Sequence, residues 1–156
     1  MTSPLLSVVL SFRNEAEVIP ELIERLDRAL TGASIDYELI FVNDASTDAS
    51  LALLEKHRAS NPRVKILNMS RRFGVAPCVI AGMRHAKGDA VVYMDADLQD
   101  PPELIPTLWA RWREGHDVAR LDRAGELHQH DVVAAGLEHG HATRCHRDAA
   151  LLGLHH

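Results

Sequence analysis

Several features are scarce in this 156-residue chain, and each scarcity closes off a class of protein. Only two cysteines occur, Cys78 and Cys145. They stand in no ligand-type spacing and cannot build a disulfide framework, so a reducing compartment, the cytoplasm, is the expected location. Basic residues are outnumbered, with 17 Lys and Arg against 22 Asp and Glu and a net charge of -5. No polybasic surface follows from such a balance, and nucleic acid is not an expected partner. Long apolar runs are missing as well. The first run, Leu5 to Phe12, is cut by Arg13 and Asn14, far short of the roughly 20 residues that span a bilayer, and no charged region precedes it as in a secretory leader. Neither secretion nor a membrane span is expected. With 46% hydrophobic residues the chain can bury one ordinary core, and one domain is expected.

What is present has a clear rhythm. Leu5 to Phe12 is short and apolar on both alternating faces, the pattern of a strand buried between helices. Val18, Ile19, Leu22, Ile23, Leu26 and Leu30 then fall on one helical stripe with Glu21, Glu24, Arg25 and Asp27 between them. Tyr37 to Val42 repeats the strand pattern, and Asp44 to Asp48 supplies turn and N-cap residues ahead of Leu51, Leu53 and Leu54. Val64 to Leu67 follows the breaker Asn61-Pro62, Val79, Ile80 and Met83 mark a third helix ending near Lys87-Gly88, and Ala90 to Met94 is a fourth strand. Strands alternating with helices require crossover connections, which give an α/β fold with an open, mainly parallel sheet and helices on both faces.

Such sheets bind ligands at the carboxyl ends of their strands. The polar residues gather there: Arg13, Asn14 and Glu15; Asn43 and Asp44; Ser70, Arg71 and Arg72; Asp95 and Asp97. Asp95 and Asp97 leave the fourth strand two residues apart and would point the same way, so a hard divalent ion shared with phosphate oxygens could hold them together. The bare Asp-x-Asp also fits a solvated turn; its place at a strand end favours the site. Asp100-Pro101-Pro102-Glu103 reads as an N-cap with proline in the first turn and a capping-box glutamate, opening a helix with Leu104, Ile105, Leu108, Trp109 and Trp112 on its apolar stripe.

Four stretches together carry a resemblance. SVVLSFRNE (7 to 15), VNDASTD (42 to 48), SRRFG (70 to 74) and DADLQDPPE (95 to 103) resemble successive blocks of family 2 glycosyltransferases, in the subgroup of dolichol-phosphate mannose synthase and bacterial polyprenyl-phosphate glycosyltransferases. The match runs from about residue 5 to about residue 126. The resemblance implies a GT-A fold, C-terminally incomplete, with residues 1 to 126 as the N-terminal part of a nucleotide-sugar-binding domain. It further implies a UDP- or GDP-linked sugar donor, Mg or Mn, and inverting transfer to a dolichyl or undecaprenyl phosphate. The acceptor would place the protein peripherally on the cytoplasmic face of a membrane.

Carried over by position, the resemblance makes Asp95 and Asp97 the catalytic pair: Asp97 would ligand the metal, Asp95 would hold ribose and metal, and Gln99 would complete that edge. Asp44 would meet the nucleobase. Ser11 and Arg13 would bind the nucleotide, the Asn14-Glu15 pair would line its base and ribose pocket, and Arg71 or Arg72 would stand near it, a solvated loop pair being the alternative for these two. The sequence departs from the commonest family forms at Arg13, where an aromatic is usual, and at Asn43, where Asp is usual, which leaves the base open. A metal clamp would stabilise charge on the departing diphosphate, and an anionic phosphate acceptor needs little help from a general base.

Gly115 to Val118 resembles a fifth strand and Arg120 to Glu126 a basic loop; after Glu126 the pattern stops. From Val118 onward Lys, Ile, Phe, Tyr, Trp, Asn, Pro, Ser and Met are absent, and the 127 to 156 segment is expected to be a loosely ordered His- and Ala-rich tail. Its composition suits an out-of-frame reading of a GC-rich gene, hence a truncated transferase. His-x-His at 128/130 and 139/141 with Cys145-His146 would alternatively bind zinc or nickel. Beside the transferase stand two other functions: a non-catalytic nucleotide-binding module or pseudoenzyme, and a phosphohydrolase with Asp95 as nucleophile, which lacks an evident later Lys and acidic pair.

Overall fold

A computed structural model describes residues 3–115, 120–121, 127–128 and 134–136. Strand β1 (Leu5–Phe12) leads to helix α1 (Ile19–Gly32), then β2 (Asp36–Asn43), α2 (Ser50–Ser60), β3 (Val64–Asn68), α3 (Val75–His85) and β4 (Ala90–Asp95). The four strands are mutually parallel in the order β3-β2-β1-β4. This is the expected mainly parallel α/β sheet. A 3-10 turn (Pro102–Leu104) and α4 (Ile105–Arg113) follow, with short strands β5 (Arg120–Leu121), β6 (Leu127–His128) and β7 (Ala134–Gly136). β5 and β6 pair antiparallel as a separate ribbon, and β7 runs antiparallel along β4. Within the 127 to 156 segment the described residues are those of β6 and β7. The fifth-strand residues 116 to 118 and the His and Cys positions 130, 139, 141, 145 and 146 lie outside the described residues.

Alternation along β1 divides the core in two. Leu6, Val8, Leu10 and Phe12 pack with Ile19, Leu22, Ile23, Leu26 and Leu30 of α1, Leu54 of α2, and Ile105 and Leu108 of α4. Val9, Ile40, Val42 and Val91 meet Cys78 of α3 on the opposite face. Helices thus cover both faces, three on one and α3 on the other. Each fully buried Leu or Ile contributes about 1.5–3 kcal/mol of transfer free energy. α3 can lie this close because of Gly82, where a Cβ would stand 2.3 Å from Val9 Cγ1.

The opening of α4 differs from expectation. The N-cap place of the 3-10 turn is Pro101, extended at φ -67°, ψ 124°, with no side-chain capping bond, and Asp100 lies before it. Pro102 forces that extended backbone on Pro101 and postpones the helix. Glu103 does not close a capping box; both its oxygens take a fork from Arg25 of α1, Nε to Oε1 at 2.8 Å and Nη2 to Oε2 at 2.7 Å. Leu108 is buried as expected, while Trp109 and Trp112 pack partly buried against the core with ring centroids 4.8 Å apart.

At the amino-terminal edge of the sheet a buried carboxylate ties three strands together. Glu38, 5% exposed, accepts from Ser7 Oγ at 2.6 Å and the Lys87 N–H at 2.7 Å, and pairs with Lys65 Nζ of β3. Gly88 N–H donates to Ser7 Oγ at 2.9 Å, and a Cβ at Gly88 would sit 2.6 Å from the Ser7 nitrogen. Burial opposes the charge of Glu38, but Lys65, Ser7 and the Lys87 N–H outweigh it and hold its pKa below the usual glutamate value. Because the folded pKa is lowered, the group stabilises the fold above the ordinary glutamate pKa, and that contribution fades as pH falls through the lowered value. Glu38→Gln should cost about 1–3 kcal/mol at pH 7. In urea titrations the gap between wild type and variant should narrow steadily below about pH 4.5; a gap that stays constant down to pH 3 would remove the charge from the account.

Candidate functional site

The parallel strands β1, β2 and β4 end on one edge, and their register brings specific residues side by side: Ser11 opposite Asp95 and Phe12 opposite Asn43. A cleft of about 240 Å³ opens there. Of the residues expected to form a site, Ser11, Arg13, Glu15, Asp44, Asp95 and Asp97 line it, and Phe12, Val75, Cys78 and Ala96 supply its apolar wall. Asn14, Arg71, Arg72 and Gln99 are not among the lining residues.

The loops at this edge are held by side chains that take up backbone N–H groups left over where the strands stop. Asn14 Oδ1 accepts from Thr47 N–H at 2.7 Å and Asp48 N–H at 3.3 Å, and the Asn14 N–H reaches Ser46 Oγ at 3.0 Å. Glu15 N–H donates to Ser50 Oγ at 2.8 Å, and Ala16 N–H to Asp48 Oδ2 at 3.1 Å. Asn14 therefore zips the loop after β1 to the loop after β2. Arg13 strengthens the same join from inside the cleft, its Nη1 donating to the carbonyls of Asp44 at 2.9 Å and Ala45 at 2.8 Å.

Asp44 is 6% exposed and holds the start of α3: Oδ1 accepts from Phe73 N–H at 2.6 Å and Oδ2 from Gly74 N–H at 3.0 Å. Gly74, at φ 89°, makes the left-handed turn this requires. Burial disfavours the Asp44 charge, yet the two N–H groups, the Cys78 thiol and Arg13 prevail and keep its pKa below the usual aspartate value. Burial and the neighbouring Asp44 in turn push the Cys78 thiol up to about 11, so it stays protonated. Arg71 and Arg72 are exposed, and Arg71 lies over the Phe73 ring at 4.5 Å.

On the β4 side, Asp97 Oδ1 accepts from Gln99 N–H at 3.0 Å, a tight turn in which Leu98 takes φ 61°. Among the described residues four non-glycines have positive φ, and three of them, Asn14, Ala45 and Leu98, follow β1, β2 and β4 at this edge. Left-handed backbone is costly for a leucine or alanine, and such residues concentrate at functional sites. Asp95 Oδ1 accepts from the Tyr93 hydroxyl at 2.5 Å and stands 3.4 Å from Ser11 Oγ, which is 3.1 Å from the same hydroxyl. Tyr93 is absent from the expected set. Its signal was available: positions 93 and 95 alternate onto one face of a strand.

Glu15 reports the local charge. Burial raises its pKa first, and Asp97, Asp48 and Asp95 raise it further. Among the described residues no ion pair reaches Asp95 or Asp97, and no group of three His, Cys, Asp or Glu side chains forms a ready metal cage. Nor is any described helix long and apolar enough to cross a membrane.

Residues 7–127 match the model of the glycosyl transferase family 2 domain. The chain belongs to glycosyl transferase family 2. An uncharacterized glycosyltransferase of Bacillus subtilis, YkcC, is 46% identical over 123 residues, covering 77% of this chain and 38% of the relative. A second, from Synechocystis sp., is 46% identical over 124 residues, covering 78% and 39%. The chain thus spans about two fifths of the length of these relatives. Among solved structures, a mannosyltransferase from Pyrobaculum calidifontis in complex with GDP-Man and Mn2+ superposes with a TM-score of 0.66 at 23% identity, over 78% of this chain and 36% of that one. TarS of S. aureus in complex with UDP-GlcNAc gives 0.62 at 25% identity, over 74% and 33%. The sheet is therefore of the GT-A kind found in glycosyltransferases.

For this family member the role of Asp44 in holding the start of α3 can be tested. Asp44→Asn keeps the shape but turns one oxygen acceptor into an NH2 facing a backbone N–H, so it should lower stability by about 1–3 kcal/mol in urea unfolding. Amide exchange at Phe73 and Gly74 should rise with it; protection unchanged at both would contradict this role.

Proposed function

We propose that residues 1 to 126 are the donor-binding part of a glycosyltransferase that passes a sugar from a UDP- or GDP-linked donor to a polyprenyl phosphate at a membrane surface, with inversion at the anomeric carbon. The observation that carries the donor side is the pair Asp95 and Asp97 on the cleft wall, without a cationic partner among the described residues and close enough to Glu15 to raise its pKa. Uncompensated carboxylates opposite the place for a diphosphate fit a hard divalent ion, which takes one or two protein carboxylates and fills its other positions with phosphate and water. UDP-GlcNAc in the TarS complex supports the donor class.

In this reading Asp95 and Asp97 hold Mg or Mn, with Gln99 completing that edge. Bound there, the ion would supply positive charge where the leaving diphosphate becomes more negative. Ser11, Arg13 and Glu15 line the nucleoside end, and Asp44 fixes the wall on which the base rests. Asn14 shapes that wall from behind, and the exposed Arg71 and Arg72 remain candidates for phosphate contact through their guanidinium forks. The acceptor phosphate is already an anion, so no strong base is required beside it. A chain spanning about two fifths of its relatives also suits a second reading, nucleotide binding without turnover. Metal-dependent release of nucleoside diphosphate from a sugar donor separates the two.

Asp97→Ala tests the common part of both readings. Isothermal calorimetry with UDP and GDP, with and without Mn or Mg, should show the divalent-dependent gain in affinity reduced by about tenfold or more. The melting temperature should hold, because the side chain belongs to a solvent-facing turn and not to the core. Equal affinity in variant and wild type, with the ion present, would sink the assignment.

A further inference from the structure

Tyr93 is used by none of the steps above, yet it makes the shortest polar contact to Asp95. Its hydroxyl donates to Oδ1 at 2.5 Å and lies 3.1 Å from Ser11 Oγ, which itself reaches toward Oδ1 at 3.4 Å. A phenol keeps its proton at neutral pH, and its O–H donates to the carboxylate. The register sets this up: Ser11 stands opposite Asp95 on the neighbouring strand, and Tyr93 precedes Asp95 by two on the same face. Two hydroxyls therefore converge on one carboxylate oxygen. No hydrogen bond reaches the other, Oδ2, among the described residues.

We propose that Tyr93, seconded by Ser11, is a positioning residue that occupies Oδ1 of Asp95 and leaves Oδ2 as its only ligating oxygen, so that the site selects small octahedral divalent ions over larger ones. The proposal rests on the reading of Asp95 as a cation-side carboxylate. Its logic is coordination geometry. Mg demands six ligands at about 2.0–2.1 Å in near-octahedral array, whereas Ca accepts 6–8 oxygens at 2.3–2.6 Å and readily takes a carboxylate through both oxygens. A carboxylate tethered at one oxygen cannot turn to offer both. Removing the tether frees it to chelate, which favours the larger ion. Outer-shell hydrogen bonds of this kind typically govern metal affinity by about 10–100-fold.

The test uses the full chain, with Tyr93→Phe as the variant and MnCl2 and CaCl2 as probes in the presence of UDP or GDP. Bound Mn is counted by electron paramagnetic resonance, and Ca by its competition with Mn. The variant should fold with a melting temperature near wild type, bind Mn about tenfold more weakly, and lose less affinity for Ca, so that the Mn-to-Ca preference falls. A merely structural role would weaken both ions alike and leave the preference unchanged; that result overturns the proposal while leaving metal-dependent nucleotide binding in place. Absence of any divalent-dependent binding by wild type would overturn both. Should Tyr93→Phe fail to fold, Ser11→Ala removes the second hydroxyl and must shift the preference in the same direction; an unchanged preference there also overturns it.

Discussion

Parallel pairing of β1 with both β2 and β4 is the constraint on which the cleft depends. It sets Ser11 beside Asp95, brings Asp44 just past the end of β1, and points the loops after all three strands toward the same space. A slip of one residue would turn Ser11 to the three-helix face and push Leu10 or Phe12 toward α3. Two features oppose that slip. Leu6, Val8, Leu10 and Phe12 fill the larger core, and on the other face Val9 meets α3 where Gly82 leaves it no spare room. At the far edge, Glu38 bonds to Ser7 and to the turn before β4, so the register is held by charge as well as by packing.

Carboxylates at the cleft divide into two kinds according to how their oxygens are employed. Asp44 spends both on N–H groups at the start of α3 and is nearly buried. Asp95 and Asp97 each commit Oδ1 to local bonds and keep Oδ2 clear of hydrogen bonds among the described residues. The first arrangement builds a wall; the second leaves acceptor capacity on two residues that line the cleft. Left-handed backbone at Asn14, Ala45 and Leu98 belongs to the same economy, since only such turns let short loops aim their side chains back over the strand ends.

Much of this could be read from the sequence because it is local. A short run apolar on both faces located β1 from Leu5 to Phe12, and the 3.6 stripe from Val18 to Leu30 located α1. The alternation of strands and helices implied the parallel sheet, and with it the edge where polar residues would gather. Contacts between residues distant in the chain were hidden. Glu103 has a capping-box position, yet Arg25, 78 residues earlier, takes both its oxygens. Nothing in the Asp44 neighbourhood announces that Phe73 and Gly74 will fold back onto it. Arg71 and Arg72 could be placed near the strand end but not aimed, and they turn outward, Arg71 onto Phe73. Tyr93 lies inside the apolar run Ala90 to Met94, which marks it as strand without showing that its hydroxyl meets Asp95.

The charge balance of the cleft ties these observations to the proposed chemistry. Glu15, Asp95 and Asp97 line it, Asp48 stands close enough to act on Glu15, and Arg13 is the sole cationic side chain among the described lining residues. Its Nη1 is already committed to two carbonyls. Two like charges 4 Å apart repel by about 4 kcal/mol at the effective dielectric of a protein surface. A nucleoside diphosphate entering beside these carboxylates would meet that repulsion several times over. A divalent ion lying between carboxylates and phosphates converts each such repulsion into an attraction, and the diphosphate in turn completes the ion's oxygen shell. In the proposed chemistry neither would be held well alone, and binding of the two would be strongly coupled.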